Sequence, residues 1–392
     1  MPVLLQPESQ TAAHPAAASG GRLASLDILR GLTVATMILV NNNGSSAHTW
    51  AILEHAPWNG FTLADFVFPA FLLMVGVSIQ LSLGSRVAKG VPPGTLLLPI
   101  LRRAALIFTF GVLIGGFPFY HLHTLRLYGV LQRIALCFLA SSLLTLYTRT
   151  RTLVAVSVAL LAGYWALLRF TPVPGLGVPV RDVPFLDPFA NIVSWTDRAL
   201  FSAPHLYHHG VYDPCGLLGT LPSIVSTLIG VLAGKWIATD RTPLSKLKGI
   251  AAGAAGCIAL GLLWSPWFPI NKRLWTSSYV LLAAGLALTL FALCFALFDL
   301  RGWRKNRAWP ALVFGTNALA AYILSELLAA ALGAIHLTVG GHVSSLRALL
   351  YQPFQSMIPN PELGSFLYAL TFVGICFIPM WLLYRRRIFI KV

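Results

Sequence analysis

Ten apolar runs, each long enough to cross a lipid bilayer, constrain this sequence more than any other feature. A helix needs about 20 mostly apolar residues to span the hydrocarbon core. The runs lie at about 24–43, 62–84, 95–116, 125–147, 151–170, 216–238, 246–264, 274–298, 309–332 and 364–384. Charged residues make up 10% of the chain and hydrophobic residues 57%, which leaves too little polar surface for a soluble protein. We therefore predict an all-α integral membrane protein, a polytopic bundle of about ten transmembrane helices.

Lysine and arginine residues flank these runs unevenly, and such residues in short loops are retained in the cytoplasm. If Arg22 is cytoplasmic, 19 of the 28 basic residues fall on the cytoplasmic side and seven on the other side, while Arg30 and Arg133 lie within runs. We therefore predict that both termini are cytoplasmic. The clusters are typical of membrane anchors, so we expect a lipid bilayer and no nucleic acid as partner. Residues 1–21, rich in Ala, Ser and Pro, are predicted to be a disordered tail before one membrane domain at 22–392.

Neither the cysteines nor the histidines form a pattern that is typical of a metal site. The five cysteines are odd in number and lie mostly inside apolar runs, without a CxxC pair. His121 and His123 lack a third ligand nearby, and the adjacent His208 and His209 cannot share one helix face. We expect no metal.

Asp65 admits two interpretations. Thr62 can cap the helix that begins there, and Asp65 in the first turn then favours the helix dipole. Alternatively, a buried carboxylate near His55 orients that imidazole and raises its basicity. The residues alone leave both open.

Other polar residues fall inside the apolar runs, where charge is costly and usually marks a site. Arg133 and Glu326 are predicted to lie in the outer half of the membrane together with Asn41, so we expect one polar cavity that opens outward. Asp27 and Arg30, spaced i and i+3, are expected to form a local ion pair at the start of the first run.

The order of several motifs resembles the heparan-alpha-glucosaminide N-acetyltransferase family, and within it bacterial NagX-like transmembrane acetyltransferases. The matching segments are Ser25-Leu-Asp27-Ile-Leu-Arg30-Gly31, Val40-Asn41, His55-Ala-Pro-Trp58-Asn59-Gly60, Ala64-Asp65-Phe-Val-Phe-Pro69, Tyr128-Gly-Val-Leu-Gln132-Arg133, Asp213-Pro-Cys-Gly216-Leu-Leu-Gly219-Thr220, Ile270-Asn271-Lys272-Arg-Leu-Trp275 and Gly315-Thr-Asn317. The stretch from Asn41 to His55 is a few residues longer than in the lysosomal member. We therefore expect an acceptor other than heparan sulfate itself.

The resemblance implies transfer of an acetyl group from cytoplasmic acetyl-CoA to the amino group of glucosamine or a terminal glucosaminide across a bacterial inner membrane. It implies His55, Asp65 and Asn41 as catalytic residues. A neutral histidine can remove the amine proton or accept the acetyl group, and the residues leave both routes open.

Further residues are assigned by charge and depth. We expect Trp58, Asn59, Arg133 and Glu326 to bind the amino-sugar substrate. Arg102, Arg103, Lys246 and Lys248 are candidates for the phosphates of CoA, although lipid headgroups explain them equally well. Gly76 and Ser78 are expected to line a funnel for the thioester.

Two other functions remain open, namely an O-acyltransferase of envelope polysaccharide and a secondary transporter, which ten spans with intramembrane charges would also suit. The sequence also leaves open whether the chain forms a homo-oligomer.

Overall fold

Helices account for nearly all regular structure in the computed structural model, which describes residues 23–207, 210–303 and 305–390. The tail at 1–21, Arg22, His208 and His209 lie outside the described residues. The helices are α1 (Ala24–Asn41), α2 (Leu63–Ile79), α3 (Ser85–Ala88), α4 (Pro93–Gly116), α5 (Val130–Tyr147), α6 (Thr150–Phe170), α7 (Ile192–Phe201), α8 (Thr220–Ile237), α9 (Pro243–Trp264), α10 (Ser277–Cys294), α11 (Trp309–Thr316), α12 (Ala318–Ala334), α13 (Leu346–Met357) and α14 (Pro361–Arg385). Two short antiparallel strands, β1 (His336–Val339) and β2 (His342–Ser345), form a hairpin.

The helices confirm the predicted all-α membrane bundle. In the described part of the chain, nine helical segments are long and apolar enough to cross a bilayer, and the pair α11 and α12 makes ten if it counts as one span. The ninth run, predicted as one span, is divided into two helices. The two helices meet at Asn317 with a bend of 83°.

Side chains from other parts of the chain satisfy backbone groups that the bend frees, as a break within a membrane requires. Arg30 donates to the carbonyl oxygen of Gly315 at 3.3 Å and to Asp27 at the same distance, which confirms the expected local ion pair. The amide of Asn317 donates to the carbonyl of Ile388, and its oxygen accepts from the backbone of Ile390. The last described residues of the chain therefore bind the break.

Five spans form the centre of the bundle. More than half of each of α1, α2, α5, α8 and α10 is buried, whereas less than a third of each of α4, α6, α9 and α14 is buried, which leaves apolar faces that suit lipid. At one central crossing, a Cβ on Gly76 would overlap the carbonyl of Thr227 in α8, and a Cβ on Gly230 would overlap that of Leu73 in α2. Gly76 therefore permits close packing of two helices rather than lining a funnel. Ser78 is half-buried and accepts a hydrogen bond from Arg30.

Five connections between helices meet at one end of the bundle, called here the His55 end. They are residues 42–62, 117–129, 171–219, 265–276 and 335–360. Hydrogen bonds join them in pairs: Trp58 to Leu186, Gly60 to Ile270, Arg126 to Asp213 and Arg347 to Asn43. The connections between α3 and α4, α5 and α6, and α8 and α9 lie at the opposite end.

Candidate active site

The helix start at Thr62 determines where Asp65 lies. Thr62 caps α2: its hydroxyl accepts from the backbone of Asp65, and the Asp65 carboxylate accepts from the backbone of Thr62 at 3.2 Å. This reciprocal pair is a capping box. The sequence-based prediction that Thr62 caps the helix is confirmed.

The two carboxylate oxygens of Asp65 have different partners. Oδ2 accepts from the backbone N–H groups of Ala56 and Thr62, whereas Oδ1 lies 3.0 Å from Nδ1 of His55. Both interpretations of Asp65 therefore hold at once, because one oxygen builds the helix start and the other holds the histidine. Asp65 is 1% exposed and the His55 side chain 41% exposed, so the ring is accessible while its partner is not.

Lys272 completes the cluster, although the sequence analysis had not singled it out. Its Nζ lies 3.0 Å from Nδ1 and 3.4 Å from Nε2 of His55, and 3.5 Å from Oδ1 of Asp65. It also donates to the carbonyl of Ala64. The signal that could have indicated it is its place in the Ile270-Asn271-Lys272 motif of the family resemblance.

Two loops hold Lys272 against His55. The side-chain amide of Asn271 donates to Oδ1 of Asn59 at 3.0 Å, and the backbone of Gly60 donates to Ile270 at 2.8 Å. Asn271 in turn accepts from the backbone of Leu274, which closes its own turn. The segment 55–60 and the segment 270–274 are therefore fixed to each other.

Burial and the neighbouring cations determine the protonation of this cluster. The pKa of His55 is lowered from its ordinary value, mainly by burial and further by Lys272 and Arg273, although Asp65 opposes the shift. Burial lowers the pKa of Lys272 to about 8, against the opposing effect of Asp65. A neutral imidazole beside a lysine–carboxylate pair is the arrangement that general-base or nucleophilic chemistry requires.

A chain of aromatic contacts supports Asp65 from the inside. The hydroxyl of Tyr279 donates to the backbone carbonyl of Asp65 at 2.7 Å, and the Tyr279 ring contacts Trp275 edge-on. The guanidinium of Arg133 lies 4.9 Å from the ring centroid of Trp275 and donates to Gly216. Its Nε and Nη1 have no hydrogen-bond partner within residues 23–207, 210–303 and 305–390. Arg133 is 1% exposed, which leaves a substrate little access.

Asn41 and Glu326 form a second polar group. Glu326 interacts with the side chains of Asn41 and Tyr322, and this group joins α1 to α12. No hydrogen bond found in the described part of the chain joins Asn41 to His55 or Asp65. Asp65, Arg133 and Glu326 thus have different direct partners in the described part of the chain, and a single polar cavity that joins them stays a prediction.

Trp58 and Asn59 follow His55 directly and hold the surrounding loops. The indole N–H of Trp58 donates to the carbonyl of Leu186 at 2.7 Å, and its ring contacts Tyr212 edge-on. Asn59 is the partner of Asn271 described above. Their polar atoms fix the rim of the site.

The four candidate cations for CoA lie in two different positions. Lys246 and Lys248 are in the first two turns of α9, near the opposite end. Arg102 and Arg103 lie further from a helix end, within α4. They follow the first residue of α4 by nine and ten positions, about 14 Å along the helix, and Arg103 lies over Phe138 midway along α5. Without Arg102 and Arg103, most of the basic residues still fall on the predicted cytoplasmic side, so the predicted orientation is unchanged.

A cleft of about 490 Å³ runs along the side of the bundle between α1, α2, α10 and α11. Apolar side chains line most of it, from Leu63 at the start of α2 to Arg307 before α11. None of the four candidate cations lines it. Among the described residues, no three His, Cys, Asp or Glu side chains are placed to hold a metal ion.

The sequence of this chain is similar to those of known proteins. A family model described as heparan-alpha-glucosaminide N-acetyltransferase, catalytic, matches residues 22–261. The heparan-alpha-glucosaminide N-acetyltransferase of Mus musculus is 30% identical over 368 residues, covering 79% of this chain and 54% of the mouse protein. That of Homo sapiens is 29% identical over 359 residues, covering 78% and 53%. The chain spans about half the length of these curated relatives. With most of its transmembrane bundle matched, this chain belongs to the heparan-alpha-glucosaminide N-acetyltransferase family.

Proposed function

We propose that this protein is a transmembrane N-acetyltransferase that moves an acetyl group from acetyl-CoA to the amino group of glucosamine or a terminal glucosaminide. The observation that carries the proposal is the contact of 3.0 Å between Nδ1 of His55 and Oδ1 of Asp65, at one end of a membrane bundle in this family. The acceptor would bind at the His55 end, which is periplasmic if the charge bias gives the orientation. The donor would come from the cytoplasm of a bacterial cell.

The chemistry begins with the acceptor amine, which attacks a thioester only as the free base. With the Nδ1 proton of His55 donated to Asp65, the lone pair on Nε2 would take the proton from the amine. The new C–N bond forms, the C–S bond breaks, and CoA leaves as the thiolate, which takes up that proton. In the alternative route, Nε2 itself accepts the acetyl group and passes it to the amine.

The remaining groups would bind the substrates. Glu326, with Asn41 beside it, would attract the ammonium of the acceptor, and Asn41 or Asn59 would donate to the thioester oxygen as charge develops there. Trp58 would present an apolar face to the sugar. Lys246 and Lys248 would bind the phosphates of CoA at the opposite end.

Sealed vesicles of one orientation test the proposal. Labelled acetyl-CoA is supplied only at the face opposite His55, glucosamine only at the His55 face, and labelled N-acetylglucosamine is measured at the His55 face. We expect product from the wild type and at least about a hundredfold less from His55→Asn, since general-base catalysis contributes 10² to 10⁴ in rate. Wild-type rates from His55→Asn would refute the role of His55. Product that forms only when both substrates share one side would refute transfer across the membrane.

The same vesicles separate the two other functions. An O-acyltransferase would acetylate a hydroxyl of the acceptor and leave its amine free, which mass spectrometry of the product shows. A transporter would move labelled glucosamine or acetyl-CoA across the membrane unchanged.

A further inference from the structure

The cluster at the His55 end contains one carboxylate and two groups that could balance its charge. Asp65 is 1% exposed, so water cannot compensate its negative charge. A buried carboxylate requires a cation or its own proton. His55 and Lys272 both lie within 3.5 Å of its Oδ1. Which of the two carries the positive charge determines whether the imidazole can act as base or nucleophile.

We infer that Lys272 is a positioning residue that carries the positive charge opposite Asp65 and so keeps the imidazole of His55 neutral for the reaction. The inference rests on the proposed function and goes beyond it. In most histidine–carboxylate pairs the imidazole alone balances the carboxylate, which favours the protonated ring. Here Lys272 takes that place.

The geometry supports this assignment. Nζ of Lys272 lies 3.5 Å from Oδ1 of Asp65 and 3.0 Å from Nδ1 of His55, so its charge acts on both. The Lys272 side chain is only 16% exposed, and its ammonium donates to the carbonyl of Ala64 at the helix start. The Asn59–Asn271 hydrogen bond fixes the neighbouring residue, which holds the backbone of Lys272 next to the segment that carries His55.

Other titratable groups that face the cluster do not change the pairing of the Lys272 charge with the Asp65 carboxylate. Arg273 adds a second positive charge, and it donates to the hydroxyl of Tyr212 at 2.6 Å. Tyr279 donates its hydroxyl to the Asp65 backbone carbonyl. Cys215 is a buried thiol behind Lys272, and Glu54 is exposed beside His55. Two cations and one buried carboxylate therefore surround the ring, and a third positive charge on the imidazole is unfavourable.

The inference predicts what happens when the charge of Lys272 is removed. Asp65 then has only His55 as a counter-charge, so the imidazole holds its proton to higher pH. A like charge at this distance shifts a titration midpoint by about one pH unit or more, so its removal lets the imidazole keep its proton to higher pH. Above pH 8 the imidazole is neutral in either case, so the variant and the wild type converge.

The first experiment measures kcat/KM for glucosamine against pH in the wild type, Lys272→Gln and Lys272→Arg. We expect Lys272→Gln to shift the acid limb of the kcat/KM profile to higher pH by about one unit. At pH 6 its kcat/KM should be about tenfold below that of the wild type, and near pH 8.5 the two should be equal. Lys272→Arg should keep the wild-type midpoint whatever its absolute rate, because arginine stays charged. A loss in Lys272→Gln that is equal at every pH would overturn the inference, since it would mean that Lys272 only supports the loop.

The second experiment needs no transferase activity. Diethyl pyrocarbonate acylates neutral imidazole, so the rate of modification of the His55 peptide against pH, followed by mass spectrometry, reports the protonation of this ring. We expect the midpoint to lie below 6.5 in the wild type and to rise by about one unit in both Lys272→Gln and Lys272→Met. Two neutral replacements guard against a folding defect in one of them. An unchanged midpoint in a folded variant would overturn the inference.

The two readouts separate the inference from the proposed function. If the modification midpoint shifts as expected but no form of the protein acetylates glucosamine, the charge assignment stands and the proposed function fails. If the wild type acetylates glucosamine and the midpoint does not shift, the proposed function stands and the role of Lys272 fails.

Discussion

The ammonium of Lys272 lies 3.0 Å from Nδ1 of His55, although 217 positions separate the two residues in the sequence. The contact depends on two loops that meet at one end of a membrane bundle. It brings a cation to a histidine that already has a carboxylate partner. The proposed chemistry therefore depends on three groups from two distant segments, and it can be tested at each of them.

The orientation in the membrane can be read from two single cysteines. Ser202 is exposed at the His55 end, and Asp240 is exposed between α8 and α9 at the opposite end. The native cysteines are buried, or half-buried within a span in the case of Cys257, so their background reaction should be low. We expect an impermeant maleimide to label Ser202→Cys in intact cells, and Asp240→Cys only after permeabilisation. The reverse pattern would contradict the predicted orientation.

Replacing Asp65 should separate its two roles. Asp65→Asn removes the negative charge beside His55, and we expect kcat/KM to fall by about a hundredfold. Thr62→Ala is the control, because it removes the cap and keeps the carboxylate. It should cost about 1 kcal/mol of stability and much less of the rate. Equal losses of rate in both variants would mean that Asp65 acts only by starting α2.

The ion pair of Arg126 with Asp213 should be a major source of stability at the His55 end. Nε donates to Oδ2 at 2.8 Å and Nη2 to Oδ1 at 2.5 Å, and Asp213 is fully buried. Arg126→Gln leaves that carboxylate unpaired, so we expect a loss of about 3 kcal/mol in the free energy of unfolding. Arg126→Lys should restore only part of it because a lysine cannot bind both oxygens in this way. Thermal unfolding in detergent measures both, and an unchanged melting temperature would contradict the expectation.

Asp197 should make stability fall as the pH rises. Burial raises the pKa of its carboxyl to about 7, although the backbone N–H of Leu217 opposes the shift. Between about pH 4 and pH 7 the folded protein therefore holds a proton that the unfolded chain has released. Stability is lost progressively across this range as the pH increases. Asp197→Asn removes the effect, so its melting temperature relative to the wild type should be higher at pH 8 than at pH 5. An equal difference at both pH values would contradict this.

A pair of glycine variants tests the close packing of α2 against α8. A Cβ at position 76 would overlap the Thr227 carbonyl, which is backbone and cannot turn aside. We expect Gly76→Ala to lower the melting temperature and the yield of folded protein. Gly256→Ala in α9 is the matched control, since no atom of a neighbouring residue lies within 4 Å of the added methyl group. It should leave both quantities unchanged.

Local patterns predicted the parts of this structure that depend on neighbouring residues. The spans follow from apolar runs of the length that a bilayer demands, and the Thr62 cap follows from a motif four residues long. The contact of His55 with Asp65 was one of two open interpretations, and both hold because a carboxylate has two oxygens.

Other features depend on contacts between distant segments, which a single sequence does not reveal. The bend at Asn317 lies in a continuous apolar run, and the partners that stabilise it, Arg30 and Ile388, are far away in the chain. Lys272 stood in a quoted motif but was given no role, because its place beside His55 depends on the tertiary contact of Asn271 with Asn59.

The support of Asp65 by Tyr279 has a consequence for the size of the smallest active unit. The family model ends at residue 261, yet the hydroxyl that holds the Asp65 backbone and the ammonium that faces His55 both come from residues after that point. A fragment that stops at residue 261 would keep His55 and Asp65 but lack α10, which packs against α2 and carries Tyr279. Such a fragment should bring the histidine and the carboxylate together loosely and be inactive. The proposed catalytic module in this protein therefore reaches into α10.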